Sequence, residues 1–307
     1  MNSYLVRRLA ALVPVALGVA TLTFALIHLV PGDPVTAMLG DTAGAADITR
    51  MRQELGLDRP LIAQYLSFLW GLAHGDLGQS ISTQEPVARL IAERFPATLE
   101  VAAAGLLIAV ILALALGVTA GANPGGAADM GAMAFAILGI SVPHLYLGPL
   151  LMILFSLELR WLPLTGRGGL AHLVLPGVTL GTAMAAVLAR MMRQSLVQVR
   201  HADYIRTARA KGLGAFAALM RHGMRNALTP VITLLGLQAG ALLTGAIVVE
   251  VIFSWPGMGR LLITAISARD YPLVEGCVLT FALSYVVVNL VTDLLYGLAD
   301  PRIRLGH

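Results

Sequence analysis

The 307-residue chain is 57% apolar and 12% charged, against roughly 45–50% and about 25% in soluble domains. With a mean hydropathy of +0.80, too little polar surface exists to cover a water-exposed globule, so a soluble domain is excluded. This apolar composition excludes a disordered chain, the 32 glycines without a three-residue period exclude a collagen-like one, and a lone Cys277 excludes an internal disulfide framework or multi-cysteine metal site.

Crossing about 30 Å of hydrocarbon takes about 20 mainly apolar helical residues. Six stretches qualify, at 9–30, 99–120, 132–157, 173–192, 230–251 and 276–298. Each is a continuous apolar block without the alternation of a barrel strand. The first is expected to be a retained span, because its apolar run exceeds a signal peptide's 7–15-residue core and no cleavage pattern follows.

The formal charge of +4 comes from 20 arginines and one lysine against 17 acids, so placement matters more than total. Arg7, Arg8, Arg302 and Arg304 mark both termini as cytoplasmic. Segment 193–229 agrees, with Arg193, Arg200, Arg206, Arg209, Lys211, Arg221 and Arg225 against Asp203 alone. The expected topology is an all-α membrane protein of six transmembrane helices, N-in and C-in. The expected organisation is a first span plus an outer helical segment over 1–94, then a five-span core over 95–307 containing the loop 193–229.

The outer segment 31–98 has helical patterning. Leu61, Ile62, Tyr65, Leu66, Leu69 and Trp70 recur at helical spacing after Pro60, and His74-Gly75-Asp76-Leu77-Gly78 ends that helix in a glycine turn. Val87, Leu90, Ile91 and Phe95 form a second stripe leading into the next span. This segment is expected to cap the outer ends of the bundle, with a direct substrate contact as the alternative.

Within the spans, Ser141-Val142-Pro143-His144 interrupts the third, where proline frees a carbonyl and bends the helix. Ser141, Pro143 and Asn289 are pore-lining candidates; Asn289 lies four residues from Asp293 on one face of the sixth span. Glu100, Glu250 and Asp293 sit near span ends and are expected to serve interfacial or inter-helix hydrogen bonds. His28 is expected to be simply hydrogen-bonded and Cys277 to be a small packing residue.

The loop 193–229 is the most informative stretch. In Asp203-Tyr204-Ile205-Arg206-Thr207-Ala208-Arg209-Ala210-Lys211-Gly212-Leu213, Asp203 suits a helix start and Arg209 and Lys211 the last turn. Gly212 suits a left-handed C′ position with Leu213 as the apolar contact beyond it. A second helix is expected over 215–227 with Phe216, Leu219, Met220 and Met224 on one face. A loop serving only topology or anionic lipid needs arginines in any order. Capped ends, small residues at Thr207, Ala208 and Ala210, and apolar residues near the start point instead to a docking helix.

The stretch from Asp203 to Pro230 resembles the coupling loop of permease subunits of ATP-binding-cassette importers, in the branch handling dipeptides, oligopeptides, glutathione and nickel. Pro31-Gly32-Asp33-Pro34, His74-Gly75-Asp76-Leu77-Gly78, Phe95-Pro96-Ala97-Thr98-Leu99-Glu100, Phe253-Ser254-Trp255-Pro256-Gly257-Met258-Gly259-Arg260, Arg269-Asp270-Tyr271-Pro272 and Asp300-Pro301-Arg302-Ile303-Arg304 resemble that branch too, in order along nearly the whole chain. The chain departs from the broad importer pattern: Arg206, Thr207 and Ala208 stand where Glu-Ala-Ala is usual, and Arg225 replaces a proline. The resemblance implies a type I importer permease fold and a coupling helix whose contacts fall among Tyr204, Ile205, Arg206, Thr207, Ala208, Ala210, Lys211, Gly212 and Leu213. It further implies a second homologous permease subunit, two ATP-binding subunits and a periplasmic substrate-binding protein.

A phosphate-binding loop needs lysine followed by Ser or Thr. The only lysine, Lys211, is followed by Gly212, so ATP and Mg are expected in the partner subunits and no cofactor or metal in this chain. The expected function is a permease importing short peptides, at the bacterial inner membrane, with lipid and no nucleic acid as a partner. The alternatives are a permease for nickel or another small solute, an ion-coupled secondary transporter, which lacks a midplane charge, and an intramembrane protease using Ser141, which lacks a supporting glycine cluster.

Overall fold

The computed structural model describes residues 13–25, 35, 44–54 and 56–299. Eleven helices follow one another among these residues: α1 (Val13–Ala25), α2 (Ala45–Glu54), α3 (Leu61–Ala73), α4 (Val87–Ala122), α5 (Ala127–Ser141), α6 (His144–Glu158), α7 (Leu170–Val199), α8 (Asp203–Ala210), α9 (Ala215–Ile252), α10 (Met258–Ser267) and α11 (Tyr271–Ala299). The all-α expectation holds for them. Four helices, α4, α7, α9 and α11, are long and apolar enough to cross a membrane, and α5 with α6 makes a fifth if that bent pair is one span.

The boundaries of these spans differ from the hydropathy blocks. Helix α4 begins at Val87 and not at 99, carrying Pro96 in its interior. Helix α9 begins at Ala215 and runs through Pro230, so the expected short helix over 215–227 is the first part of a span and does not stop. Hydropathy marks only the part of a helix that lipid requires to be apolar; backbone hydrogen bonding continues beyond it. The third block is broken: α5 and α6 meet at 111° across Val142 and Pro143. Of the first block, α1 is described. Pro31-Gly32-Asp33-Pro34, His28, the terminal arginines and Asp300-Pro301-Arg302-Ile303-Arg304 lie outside the described residues.

The chain forms two compact units. One comprises residues 98–255 and 288–307. Its centre is α7, which buries Leu175, Leu180, Met184, Leu188, Met192 and Leu196 and packs against α9 and α5. Helix α4 approaches α7 closely through glycines. A Cβ on Gly117 would lie 2.6 Å from Met192 Cβ, and one on Gly121 2.7 Å from Leu196 Cβ. Such small-residue contacts let backbones pack where lipid gives no hydrophobic drive between helices.

The other unit comprises residues 1–97 and 256–287. Pro60 precedes α3, and Gly75 (φ 75°) turns the chain out of it, as the glycine turn predicts. Helix α3 lies against α1 through Phe24, whose ring meets Tyr65 at 5.3 Å and Phe68 at 5.8 Å between centroids. Val87 and Ile91 are buried, so the stripe before the second span is a packed face. Cys277 is buried and unbridged.

Candidate coupling helix and the broken span

Helix α8 is the eight-residue rod expected in the basic loop. Its C-terminus closes by two reverse hydrogen bonds. The Gly212 amide donates to Arg209 O at 3.0 Å and the Leu213 amide to Ala208 O at 3.3 Å, with Gly212 at φ 94°. This is the complete Schellman pattern, and Leu213 returns to the apolar contact that accompanies it.

The N-terminus differs from expectation. Ala202, extended at φ −69° and ψ 145°, is the N-cap, and no side chain caps the helix. The Ala202 amide donates to Val199 O at 3.0 Å, so the tight exit from α7 makes Ala202 the last extended residue and Asp203 the first helical one. Asp203 still complements the helix dipole from the first turn. Its carboxylate meets Arg206 at 3.4 Å, with both side chains largely in solvent, where such a pair contributes little.

Two faces of α8 do different things. Ile205 and Ala208 are buried against Ala218, with Val199, Ala202 and Leu213 packed around them. Arg206, Thr207, Arg209, Ala210, Lys211 and Gly212 are exposed. The small residues therefore do not form a single face: Ala208 points into the chain, while Thr207 and Ala210 point away. Tyr204 is 41% exposed and its hydroxyl accepts from Asn226 Nδ2 at 2.9 Å, tying the rod to α9.

The seat beneath α8 is a π-turn at Leu219–Gly223 within α9. Of the expected face, Leu219 is buried and Met220 and Met224 are half-buried, with Ala218, Gly223 and Ala227 buried beside them, whereas Phe216, ahead of the π-turn, is exposed.

At the broken span, Val142 is extended, Pro143 is the N-cap of α6 and the Tyr146 amide donates to Pro143 O at 3.0 Å. Ser141 Oγ donates to Ile137 O at 2.8 Å, which satisfies its hydroxyl within its own helix. Ser141 and Pro143 are exposed and Asn289 is half-buried on α11. Among the described residues no hydrogen bond joins Asn289 to Ser141 or Pro143.

Several pairings lie beyond what sequence reasoning found. Asp129, in the first turn of α5, receives Arg193 Nε at 2.5 Å, Arg193 Nη2 at 2.7 Å and the Gly125 amide at 2.8 Å. This buried carboxylate fixes α5 to α7 ten residues before α8 begins. Glu100 receives Arg167 in the same two-pronged way, at 2.9 Å from Nε, a tie from helix to loop and not from helix to helix. Its carboxylate holds the Arg167 guanidinium, in the loop before α7, above its usual range.

In the smaller unit, fully buried Asp270 accepts from Ser80 Oγ at 2.5 Å, Ser82 Oγ at 2.8 Å, the Ile81 and Ser82 amides at 3.1 Å and the Leu273 amide at 3.3 Å. Burial pushes this carboxyl up, but the hydrogen bonds from Ser80, Ser82 and Ile81 together leave it below the usual range.

An all-α membrane fold with a short, closed helix seated between two long ones is the arrangement of an importer permease. Two family models match. Residues 1–102 fit the N-terminal part of the binding-protein-dependent transport system membrane component, and residues 113–305 fit the binding-protein-dependent transport system inner membrane component. The chain belongs to this family and is a multi-pass bacterial inner-membrane protein. It is 45% identical over 304 residues to the glutathione transport system permease protein GsiC of Pectobacterium atrosepticum, with 99% of each chain covered. It is 43% identical to the di/tripeptide transport system permease protein DppB of Pseudomonas aeruginosa, again with 99% of each covered. A solved amino acid ABC transporter chain matches with a TM-score of 0.51 at 17% identity, covering 70% of this chain and 95% of that one, which supports the shared fold.

Proposed function

We propose that this chain forms half of the membrane pathway of an ATP-driven importer of short peptides, and that α8 is its coupling helix. The observation carrying the coupling role is the two-faced rod: Ile205 and Ala208 anchor it to the chain, leaving Arg206, Thr207, Arg209, Ala210 and Lys211 for a partner. A closed, eight-residue helix moves as a solid piece. Force on its outer face passes through Ile205 to Val199 at the end of α7 and to the α9 π-turn. From α7 it passes to α4 at Gly117 and Gly121, and to α5 through Arg193 and Asp129.

In this reading the chain has six spans with both termini in the cytoplasm, an outer segment over 1–94 and a core over 95–307. A second homologous permease completes the pathway, two ATP-binding subunits bind ATP and Mg beneath it, and a periplasmic binding protein delivers cargo. The names of the glutathione and di/tripeptide relatives support peptide cargo. Ser141, Pro143 and Asn289 remain the proposed pore positions, the first two at the 111° break.

Reconstitution of the chain with its partners in liposomes tests this directly. The expected result is uptake of a dipeptide that requires ATP and the binding protein. Uptake driven by a proton gradient without ATP would overturn it.

A further inference from the structure

The smaller unit contains a cavity of about 340 Å³ whose wall is built from the end of α1, from α3 and from the first turn of α11. Phe24 and Phe68, stacked at 5.8 Å, make its apolar side. Tyr271, Pro272 and Glu275 share one face of α11 and line the cavity as well.

This cavity has a firm frame. Asp270 fixes residues 80–82 to the start of α11. On the next face, Gly276 abuts Val87 so closely that a Cβ would stand 2.5 Å from Val87 Cγ1, which turns the adjoining Glu275 toward the cavity. The loop bearing Arg59 is equally constrained. Gln64 Nε2 donates to Arg59 O at 2.8 Å, the Leu57 amide donates to Arg52 O at 2.9 Å, and Gly56 turns at φ 66°. The Arg59 side chain folds over Gly56, at 3.7 Å from the position of a Cβ there.

Three charged side chains line the cavity: Asp76 accepts from the Gly78 amide at 2.8 Å, while Glu275 and Arg59 have no side-chain partner among the described residues. Glu275 is half-buried and lines the cavity, yet no donor or cation among the described residues meets its carboxylate. Arg59, on the cavity rim, has no acid partner among them either. A partly desolvated carboxylate without a donor is costly, whereas a charge-assisted hydrogen bond to an ammonium offsets that cost.

We infer that this cavity binds the free termini of a short peptide, with Glu275 taking the α-ammonium, Arg59 the carboxylate and the Phe24–Phe68 wall an apolar side chain. Gln64 is already engaged with backbone carbonyls and holds the loop without reading the ligand. The inference rests on the import reading for its access side, because the outer end of the first span places the cavity toward the periplasm in that topology.

The assembled importer in nanodiscs, without its binding protein, is to be titrated with Ala-Phe, N-acetyl-Ala-Phe and Ala-Phe amide by saturation-transfer NMR. Glu275→Gln and N-acetylation should each weaken binding about tenfold or more, the scale of one charge-assisted hydrogen bond, and acetylation should add nothing in that variant. Arg59→Gln should weaken Ala-Phe without affecting its amide. Ser67→Trp, which fills the cavity, should abolish binding in all cases. Equal affinity of Ala-Phe and its acetylated form, no effect of Glu275→Gln, or no binding to the unaltered importer would overturn the site. Parallel ATP-driven uptake with the binding protein separates the two claims. Uptake without cavity binding refutes the cavity alone, and cavity binding without peptide uptake refutes the import reading alone.

Discussion

Ile205 lies over Gly223. A Cβ on that glycine would stand 3.6 Å from Ile205 Cδ1 and 2.8 Å from Val199 Cγ1, so the absence of a side chain at 223 makes the seat that joins α8 to both α7 and α9. Gly223→Val should overfill this seat, at about 1–3 kcal/mol for an inserted branched side chain. The variant should insert and assemble, hydrolyse ATP, and lose most coupled uptake. Parallel assays of ATPase activity and dipeptide uptake check this.

The two faces of α8 should respond oppositely to bulk. Ala208→Trp is expected to unseat the rod and lower the thermal stability of the isolated chain, because Ala208 is buried. Ala210→Trp and Thr207→Trp, on the exposed face, should leave that stability within about 0.5 kcal/mol. They should instead weaken binding of the ATPase subunits by about tenfold or more, measured by titrating those subunits against the chain in detergent.

Removing one partner of the Asp129–Arg193 pair leaves the other without compensation. Arg193→Ala should cost up to about 3–5 kcal/mol where the carboxylate stays charged, less where solvent reaches it through the partly exposed arginine. The double variant with Asp129→Ala should recover part of the loss. A thermodynamic cycle with a coupling of about 0.5–3 kcal/mol supports the pair as a tie between α5 and α7.

Asp270 faces five donors, and an amide at that position would turn an NH2 toward them. Asp270→Asn should destabilise the smaller unit by about 1–3 kcal/mol, the cost of leaving buried polar groups unsatisfied. Because the folded carboxyl sits below its ordinary value, its contribution is fully present above the unfolded value of about 3.9 and is lost as pH falls through the lower folded one. Melting of the unaltered protein should therefore lose stability toward strongly acid pH more steeply than Asp270→Asn does.

Local chemistry was legible in the sequence and remote pairing was not. Gly212 and Leu213 announced the end of α8 because a Schellman closure depends on six neighbouring residues. Pro143 announced a break, although not its angle of 111°. Asp203 looked like a cap, and only the tight exit from α7 moved that role to Ala202. Regular spacing places Leu219, Met220 and Met224 on the packed side of α9, but it adds Phe216, which lies exposed. Asp270 with Ser80, 190 residues apart, and Arg193 with Asp129, 64 apart, left no pattern to read. The cavity lined by Glu275 was equally hidden, since its wall comes from separate helices.

The coupling role is tested most directly by cysteine cross-linking of the assembled importer during turnover, with single cysteines at Thr207, Ala210 and Lys211 against a scan of the ATPase surface. The account predicts cross-links from all three positions into one cleft of the ATPase subunit, formed with and without ATP. If all three instead remained open to a water-soluble thiol reagent throughout the cycle and formed no cross-link, α8 would not be the element that receives the force.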